Sequence, residues 1–118
     1  MNFKNEQLKK HHEKYVELLT AWDDAHRNLE TKSNIFNRNK LQKAYDLAGK
    51  EFNDFTKNIY AKEIYEAYSQ IKPSLIRVKT GKQYEWDEVF KNPFDKMDNL
   101  DKSILVGLVE GNGGYKFK

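Results

Sequence analysis

The chain has 118 residues, a length that fits one domain built around one hydrophobic core. Its formal net charge is only +3, and 14% of its residues are aromatic, a share that argues against a disordered chain. It contains no cysteine, which excludes disulfide scaffolds and thiolate metal sites.

The positive charge is divided almost evenly between the two halves of the chain. Residues 1–72 carry 13 Lys and Arg against 11 Asp and Glu, and residues 73–118 carry 8 against 7. Neither half therefore reads as a basic arm of the kind that binds nucleic acid. Residues 1–6 are mostly polar, and no apolar run approaches the roughly 20 residues that span a bilayer. We expect a cytoplasmic protein that does not contact a membrane.

Residues 5–31 are predicted to form an amphipathic helix. Large apolar side chains recur there every seven residues, at Leu8, Tyr15, Trp22 and Leu29. This spacing makes one apolar stripe on a helix of 3.6 residues per turn. Trp22 lies in the middle of the stripe, so we expect it to be a core residue.

A longer amphipathic helix is predicted for residues 37–71, and the rest of the chain has to cover its apolar face. Two neighbouring rows with a seven-residue repeat form that face: Leu41, Ala48 and Phe55, and beside them Tyr45, Phe52 and Ile59. The pattern is regular up to about Ile59 and drifts afterwards. Pro73 ends the helix, because proline cannot continue it.

The short polar segment between these helices predicts a turn, and hence an antiparallel helical hairpin. Asn37 is the predicted N-cap of the second helix. Phe36 and Leu41 then occupy the two positions of a hydrophobic staple. Gly49 should cost about 1 kcal/mol relative to alanine inside a helix. A close helix crossing or simple tolerance of the glycine explains it better than a functional hinge.

The segment after Pro73 changes to β-type residues. A β-hairpin is predicted at residues 75–86, with its turn at Gly81. An isolated hairpin is marginal in water, so it must pack on the helices. Residues 115–118 alternate polar and aromatic side chains and could add an edge strand.

Two short segments complete this region. Asp87 could cap a single helical turn at residues 87–90. The apolar run at 103–110 fits a short helix, capped by Asp98 or Asp101, or a strand, and periodicity does not decide between the two.

The fold class that we predict is mostly α (α+β), in a single domain covering residues 1–118. A long antiparallel helical hairpin, formed by residues 5–31 and 37–71, carries a small C-terminal cap at residues 74–118. The cap contains a β-hairpin and a short helix.

The histidines do not predict a metal site. His12 and His26 lie about 21 Å apart along one helix, at 1.5 Å per residue, and cannot bind one ion. His11 and His12 are adjacent and point in different directions. Zinc sites need three or four convergent ligands. We therefore predict neither a metal nor a cofactor.

No catalytic motif is present, and three acidic or glycine-rich groups each lack a feature that a functional site needs. Asp95, Asp98 and Asp101 lack the glycine and closing glutamate of a calcium loop. The glycine run at 111–114 is not followed by the helix that a phosphate-binding loop needs. Some metal-dependent nucleases carry acidic residues and a lysine on strands. The residues of this chain that resemble such a set are Glu85, Asp87 and Glu88 with Lys79 and Lys82. The resemblance is in residue type alone.

Five aromatic residues are the candidates for a protein interface: Tyr60, Tyr65, Tyr68, Tyr84 and Trp86. Tyrosine and tryptophan are enriched in interfaces because they bury much area and keep a polar tip. They could equally form the core between the cap and the long helix. Tyr65 lies to the side of the row formed by its neighbours, so we expect it to be the exposed member.

The function that these features favour is binding of another macromolecule, most simply a protein, without catalysis. An adaptor, an inhibitor or an assembly factor fits, and the abundance of Lys, Asn, Ile and Tyr suggests an AT-rich bacterial, phage or mobile-element source. The alternative is a nucleic-acid-binding module that uses Arg77, Lys79 and Lys82 with the aromatic residues. A third reading is a small metal-dependent nuclease.

Overall fold

The computed structural model describes residues 5–118, so most of the polar N-terminus lies outside the described residues. Helix α1 spans Glu6–Thr31, and helix α2 spans Arg38–Phe55. The second helix continues through a π-helical turn, Thr56–Tyr60, into α3, Ala61–Tyr68. Both long helices are thus confirmed, although the second ends three residues before the predicted position and is interrupted by the π turn.

The cap combines three short strands with three short helical segments. The strands are β1 (Leu75–Arg77), β2 (Gln83–Tyr84) and β3 (Tyr115–Phe117), and the helices are α4 (Trp86–Val89), a 3-10 turn (Phe94–Lys96) and α5 (Asn99–Glu110). The sheet is antiparallel, in the order β2-β1-β3. The predicted hairpin and edge strand are therefore both present, and the fold is mostly α with a small sheet.

The start of α4 corrects one prediction. Glu85, and not Asp87, occupies the N-cap position, because Glu85 and Glu88 form a reciprocal capping box with the backbone. The apolar run at 103–110 proves to be helical. Its helix, α5, is capped by Asp98, whose side chain accepts a hydrogen bond from the backbone N–H of Asp101 at 2.9 Å.

Aromatic rings join α1 to α2 along the hairpin. Tyr15 packs on Phe52 with ring centroids 5.1 Å apart, and Trp22 packs on both Phe52 (5.4 Å) and Tyr45 (6.1 Å). A Cβ atom on Gly49 would lie 2.9 Å from the Trp22 indole. The glycine therefore makes room for the tryptophan, so the close crossing, and not mere tolerance, explains its place in the helix.

The hydrophobic core lies at one end of the molecule. Its fully buried members come from α1, the π turn, α3, β1 and α5, including Leu8, Tyr60, Ile64, Leu75 and Leu105. No residue from 16 to 48 is fully buried. The outer part of the helical hairpin is consequently a thin two-helix arm that projects from the core, which agrees with overall dimensions of 53 × 31 × 28 Å.

Candidate interaction site

The turn at the end of this arm is held by two asparagine side chains. Asn34 Oδ1 accepts hydrogen bonds from the backbone N–H groups of Phe36 (2.8 Å) and Asn37 (3.1 Å). Asn37 Oδ1 accepts one from the backbone N–H of Asn34 (2.7 Å), and Asn37 Nδ2 donates to the carbonyl oxygen of Lys32 (3.1 Å). Such side chain to backbone bonds fix a turn without help from a core. We call residues 32–37 the helical tip.

The helical tip presents two large apolar side chains to solvent. Ile35 is 89% exposed and Phe36 is 91% exposed. The predicted staple between Phe36 and Leu41 is therefore wrong. Asn37 does directly precede α2, as predicted, but its side chain forms no capping bond with that helix because it is engaged in the turn.

This exposure has no structural benefit within the described chain. Full burial of an isoleucine or phenylalanine side chain is worth about 1.5–3 kcal/mol, and neither residue gains that here. Single exposed apolar residues are common on protein surfaces. Two adjacent ones at the end of a projecting arm form instead the kind of patch that marks a contact with another molecule.

The part of the arm on either side of the helical tip is rich in basic residues. Between Arg27 and Lys43 the chain carries five Lys and Arg but only one acidic residue, Glu30. This local excess of basic residues does not appear when charge is counted over each half of the chain. The side chains at the end of the arm thus combine an apolar pair with a positive surround.

The five aromatic residues predicted for the interface lie partly in the second long helix (Tyr60, Tyr65 and Tyr68) and partly in the cap (Tyr84 and Trp86), and their environments differ. Tyr60 is fully buried and Trp86 is only 3% exposed, so both belong to the core and not to the surface. The other three are half-buried: Tyr65, Tyr68 and Tyr84.

Each half-buried tyrosine packs against another aromatic ring of the cap. Tyr65 lies 5.8 Å from Phe94, Tyr68 lies 4.8 Å from Phe117, and Tyr84 lies 5.9 Å from Tyr115, measured between ring centroids. These contacts attach the cap to the long helix or stabilise the sheet. Tyr65 is accordingly less exposed than the sequence suggested.

The residues of the nucleic-acid alternative lie together around the β-hairpin. Arg77 ends β1, and its guanidinium carbon lies 5.6 Å from the ring centroid of Tyr115. Lys82 Nζ lies 5.1 Å from the ring centroid of Tyr84. Lys79 is exposed in the turn between the two strands.

A buried polar cluster joins three parts of the fold. Glu110, whose side chain is 5% exposed, accepts hydrogen bonds from His12 Nδ1 (2.6 Å) and from the Tyr60 hydroxyl (2.5 Å). Burial, and then the bond to Glu110, raises the pKa of Tyr60 well above its usual range. Local sequence patterns do not predict this cluster, because His12 and Tyr60 lie 98 and 50 residues from Glu110 along the chain.

The histidines do not converge elsewhere. His11 packs against the rings of Phe55 and Tyr60, and His26 pairs with Glu30 at 3.0 Å. From residue 5 to residue 118, no three His, Asp or Glu side chains are placed to hold a metal ion. Over the same range, no helix is both long enough and apolar enough to cross a bilayer.

Comparison of the chain with protein-family models, with curated proteins and with solved structures finds no match. Function has to be argued from the residues and their geometry alone. Two features need a functional explanation: the exposed apolar pair of the helical tip, and the cations around the sheet.

Proposed function

We propose that this protein is a small cytoplasmic binding protein, without catalytic activity, and that it contacts another protein through the helical tip. The observation that carries the proposal is the exposure of Ile35 and Phe36 on a turn fixed by Asn34 and Asn37. An adaptor, an inhibitor or an assembly factor would work in this way.

The rigid turn supports the proposal on energetic grounds. A mobile loop loses conformational freedom when it binds, at a cost of about 0.5–1.5 kcal/mol for each side chain that becomes fixed. Four hydrogen bonds already hold the backbone around Ile35 and Phe36. The two side chains can therefore enter an apolar pocket of a partner with little further ordering of the main chain.

The polar cluster supports a non-catalytic role. Catalysis by a His–Glu pair requires groups that can reach a substrate. Glu110 is instead buried and bonded to both His12 and Tyr60. These groups act as a tie between α1, the π turn and α5.

Differential capture from the source cell would test the proposal. A chain carrying Ile35→Ser and Phe36→Ser is compared with the unmodified chain, with and without nuclease treatment. The matched control carries Leu47→Ser and Ile71→Ser, which replace two side chains that are also exposed, at 58% and 60%. All three chains should melt at similar temperatures.

We expect one partner to be captured by the unmodified chain and by the control but not by the tip variant, whatever the nuclease treatment. Affinity for the purified partner should fall about 30-fold or more in the tip variant, the size of a hot-spot loss. Equal capture by the tip variant and the control would refute the tip as the contact. Loss of capture by a Tyr65→Ala variant, with capture by the tip variant intact, would place the contact where α3 meets the cap.

A further inference from the structure

The sheet collects positive charge that is scattered in the sequence. Residues 75–84 and 111–118 contain five Lys and Arg and no acidic residue. Pairing of β3 with β1 places Tyr115 opposite Arg77, on the face of the sheet that also carries Lys82 and Tyr84, and it places Lys116 opposite Ile76, on the other face. We call the resulting group the basic sheet; its cations are Arg77, Lys79, Lys82, Lys116 and Lys118, all exposed.

The charges of the basic sheet are not neutralised within the described chain. Elsewhere exposed lysines lie beside carboxylates, as in the pairs Lys14–Glu17, Lys50–Asp54 and Lys72–Asp87. None of the five cations of the basic sheet lies within ion-pair distance of a carboxylate among residues 5–118. The sheet thus has an uncompensated positive potential that favours an anionic ligand.

Glu85, the acidic residue next to β2 in the sequence, is hydrogen bonded to other groups. Glu85 follows β2 directly, and its carboxylate accepts hydrogen bonds from the Ser74 hydroxyl (3.1 Å) and from Gln83 Nε2 (3.4 Å). It also caps α4. Glu85 therefore faces the start of α4 and does not pair with the cations of the basic sheet.

Two tyrosines lie on the same face of the sheet as Arg77 and Lys82. The rings of Tyr84 and Tyr115 meet edge to face across β1, and each has a cation over it: Lys82 on Tyr84 and Arg77 on Tyr115. Both rings are half-buried, so part of each remains accessible. A positive surface with accessible aromatic rings is the combination that binds single-stranded nucleic acid, where cations contact phosphates and rings stack on bases.

We propose that the basic sheet binds single-stranded nucleic acid, independently of the sequence of bases. Duplex DNA fits less well, because its bases are stacked on each other and cannot reach Tyr84 or Tyr115. The site is distinct from the helical tip. The continuous helix from Arg38 to Tyr68 separates the two by roughly 45 Å, at 1.5 Å per residue.

Fluorescence anisotropy with a labelled oligothymidylate of about 12 nucleotides, within the site sizes of known single-strand binders, tests this proposal. The charge variant carries Lys79→Gln and Lys82→Gln, at the hairpin turn and beside Tyr84. Its matched control carries Lys91→Gln and Lys96→Gln, two exposed lysines of the cap that lie outside the basic sheet and change the net charge equally. Tyr84→Leu tests stacking while keeping a large apolar side chain.

We expect the charge variant to bind at least tenfold more weakly than its control. Each lost phosphate contact should flatten the slope of log K against log salt by about 0.7, so two should flatten it by about 1.4. Tyr84→Leu should weaken binding about tenfold with little change of that slope. Phe36→Ser should leave oligonucleotide binding unchanged, which separates this site from the proposed protein contact.

Three results would overturn the proposal. Equal weakening by the charge variant and its control would show that net charge alone is responsible. Equal affinity for a duplex, with no effect of Tyr84→Leu, would remove the stacking role and with it the preference for single strands. Equal affinity for polyglutamate of the same length would identify the sheet as a surface for acidic protein segments.

Discussion

At the scale of single residues, Glu110 is a nearly buried carboxylate that depends on its hydrogen bonds. It is nearly buried at the last position of α5, and both of its partners come from distant segments. A carboxylate in such a place is stabilising only while it is hydrogen bonded, since a buried unpaired polar group costs about 1–3 kcal/mol. Glu110 should therefore be sensitive to the chemistry of its replacement and not only to its size.

Replacement of Glu110 by alanine should destabilise the fold by about 2–3 kcal/mol, because the buried Tyr60 hydroxyl loses its acceptor. Glu110→Gln keeps a carbonyl oxygen for that hydroxyl and should cost about 1 kcal/mol. Urea unfolding monitored by circular dichroism would measure both values. Equal losses for the two variants would show that the cluster contributes through packing alone.

Stability should decrease at alkaline pH because of Tyr60. Burial and the bond to Glu110 raise its pKa in the folded state, so Tyr60 keeps its proton at a pH where an unfolded tyrosine, with a pKa of about 10, has lost it. The unfolded chain then binds fewer protons, and the free energy of unfolding falls as pH rises. The contribution is complete below about pH 10 and is lost above it.

The variant Tyr60→Phe isolates this effect. Between pH 10 and higher values, the unmodified chain should lose up to about 1.4 kcal/mol per pH unit from this one group. The variant should lose less, and the remaining slope comes in part from Tyr68, whose pKa is also raised by burial. Identical pH slopes for the two chains would show that Tyr60 does not carry the dependence.

At the scale of elements, the helical hairpin follows directly from its sequence pattern. The seven-residue rows predicted the two helices to within a residue at most ends, and the aromatic members of those rows meet across the hairpin. Periodicity succeeds here because both faces of the contact repeat along the chain. The apolar pattern becomes irregular after Ile59 because the π turn shifts the helix faces there. A rule based on 3.6 residues per turn shows that the pattern changes, but it does not identify the change as a π turn.

The exposure of Phe36 and the basic sheet were harder to predict, because both depend on contacts beyond a single segment. Phe36 and Leu41 have the spacing of a staple, but Asn34 and Asn37 bond to each other and turn the Phe36 ring outwards. The basic sheet depends on β3 pairing with β1, a contact between segments about 40 residues apart. Neither outcome is a property of a single segment, so neither is visible in local spacing.

The contribution of Trp22 to stability tests the packing of the helical hairpin. Trp22 packs on Tyr45 and Phe52 and over Gly49, but it is only half-buried. Trp22→Ala should cost about 3 kcal/mol, the lower end of the range for large-to-small core changes. Thermal unfolding would show the loss. A melting temperature unchanged within error would mean that the arm contributes nothing to global stability.

At the scale of the whole molecule, stability is distributed unevenly. The core occupies the end where α1, the π turn, α3 and α5 meet, while the arm relies on one row of aromatic contacts. Regions with few buried contacts open at a lower free energy than the core. The helical tip is thus held by its own hydrogen bonds on an arm that is the less stable part of the fold.

Native-state hydrogen exchange should resolve this difference. Amides between residues 24 and 45 should exchange through local opening, at a free energy several kcal/mol below that of residues 61–66 and 104–109. The hydrogen bonds of the tip should keep its protection above that of a free loop. Uniform protection along both long helices would show that the arm and the core unfold as one unit.

The π turn should let the long helix tolerate the deletion of one residue at this position. Its backbone N–H of Ala61 bonds to the carbonyl of Thr56, five residues back, so this turn holds one residue more than an α-helical turn. Elsewhere in the long helix, loss of one codon would rotate everything downstream by about 100° and move Ile64 out of the core. Deletion of the exposed Asn58 should instead convert the π turn into an ordinary α-helical turn. Helix Ala61–Tyr68 would then keep the same face towards the core. A chain lacking Asn58 should therefore still fold, whereas one lacking Glu51 should melt at a much lower temperature.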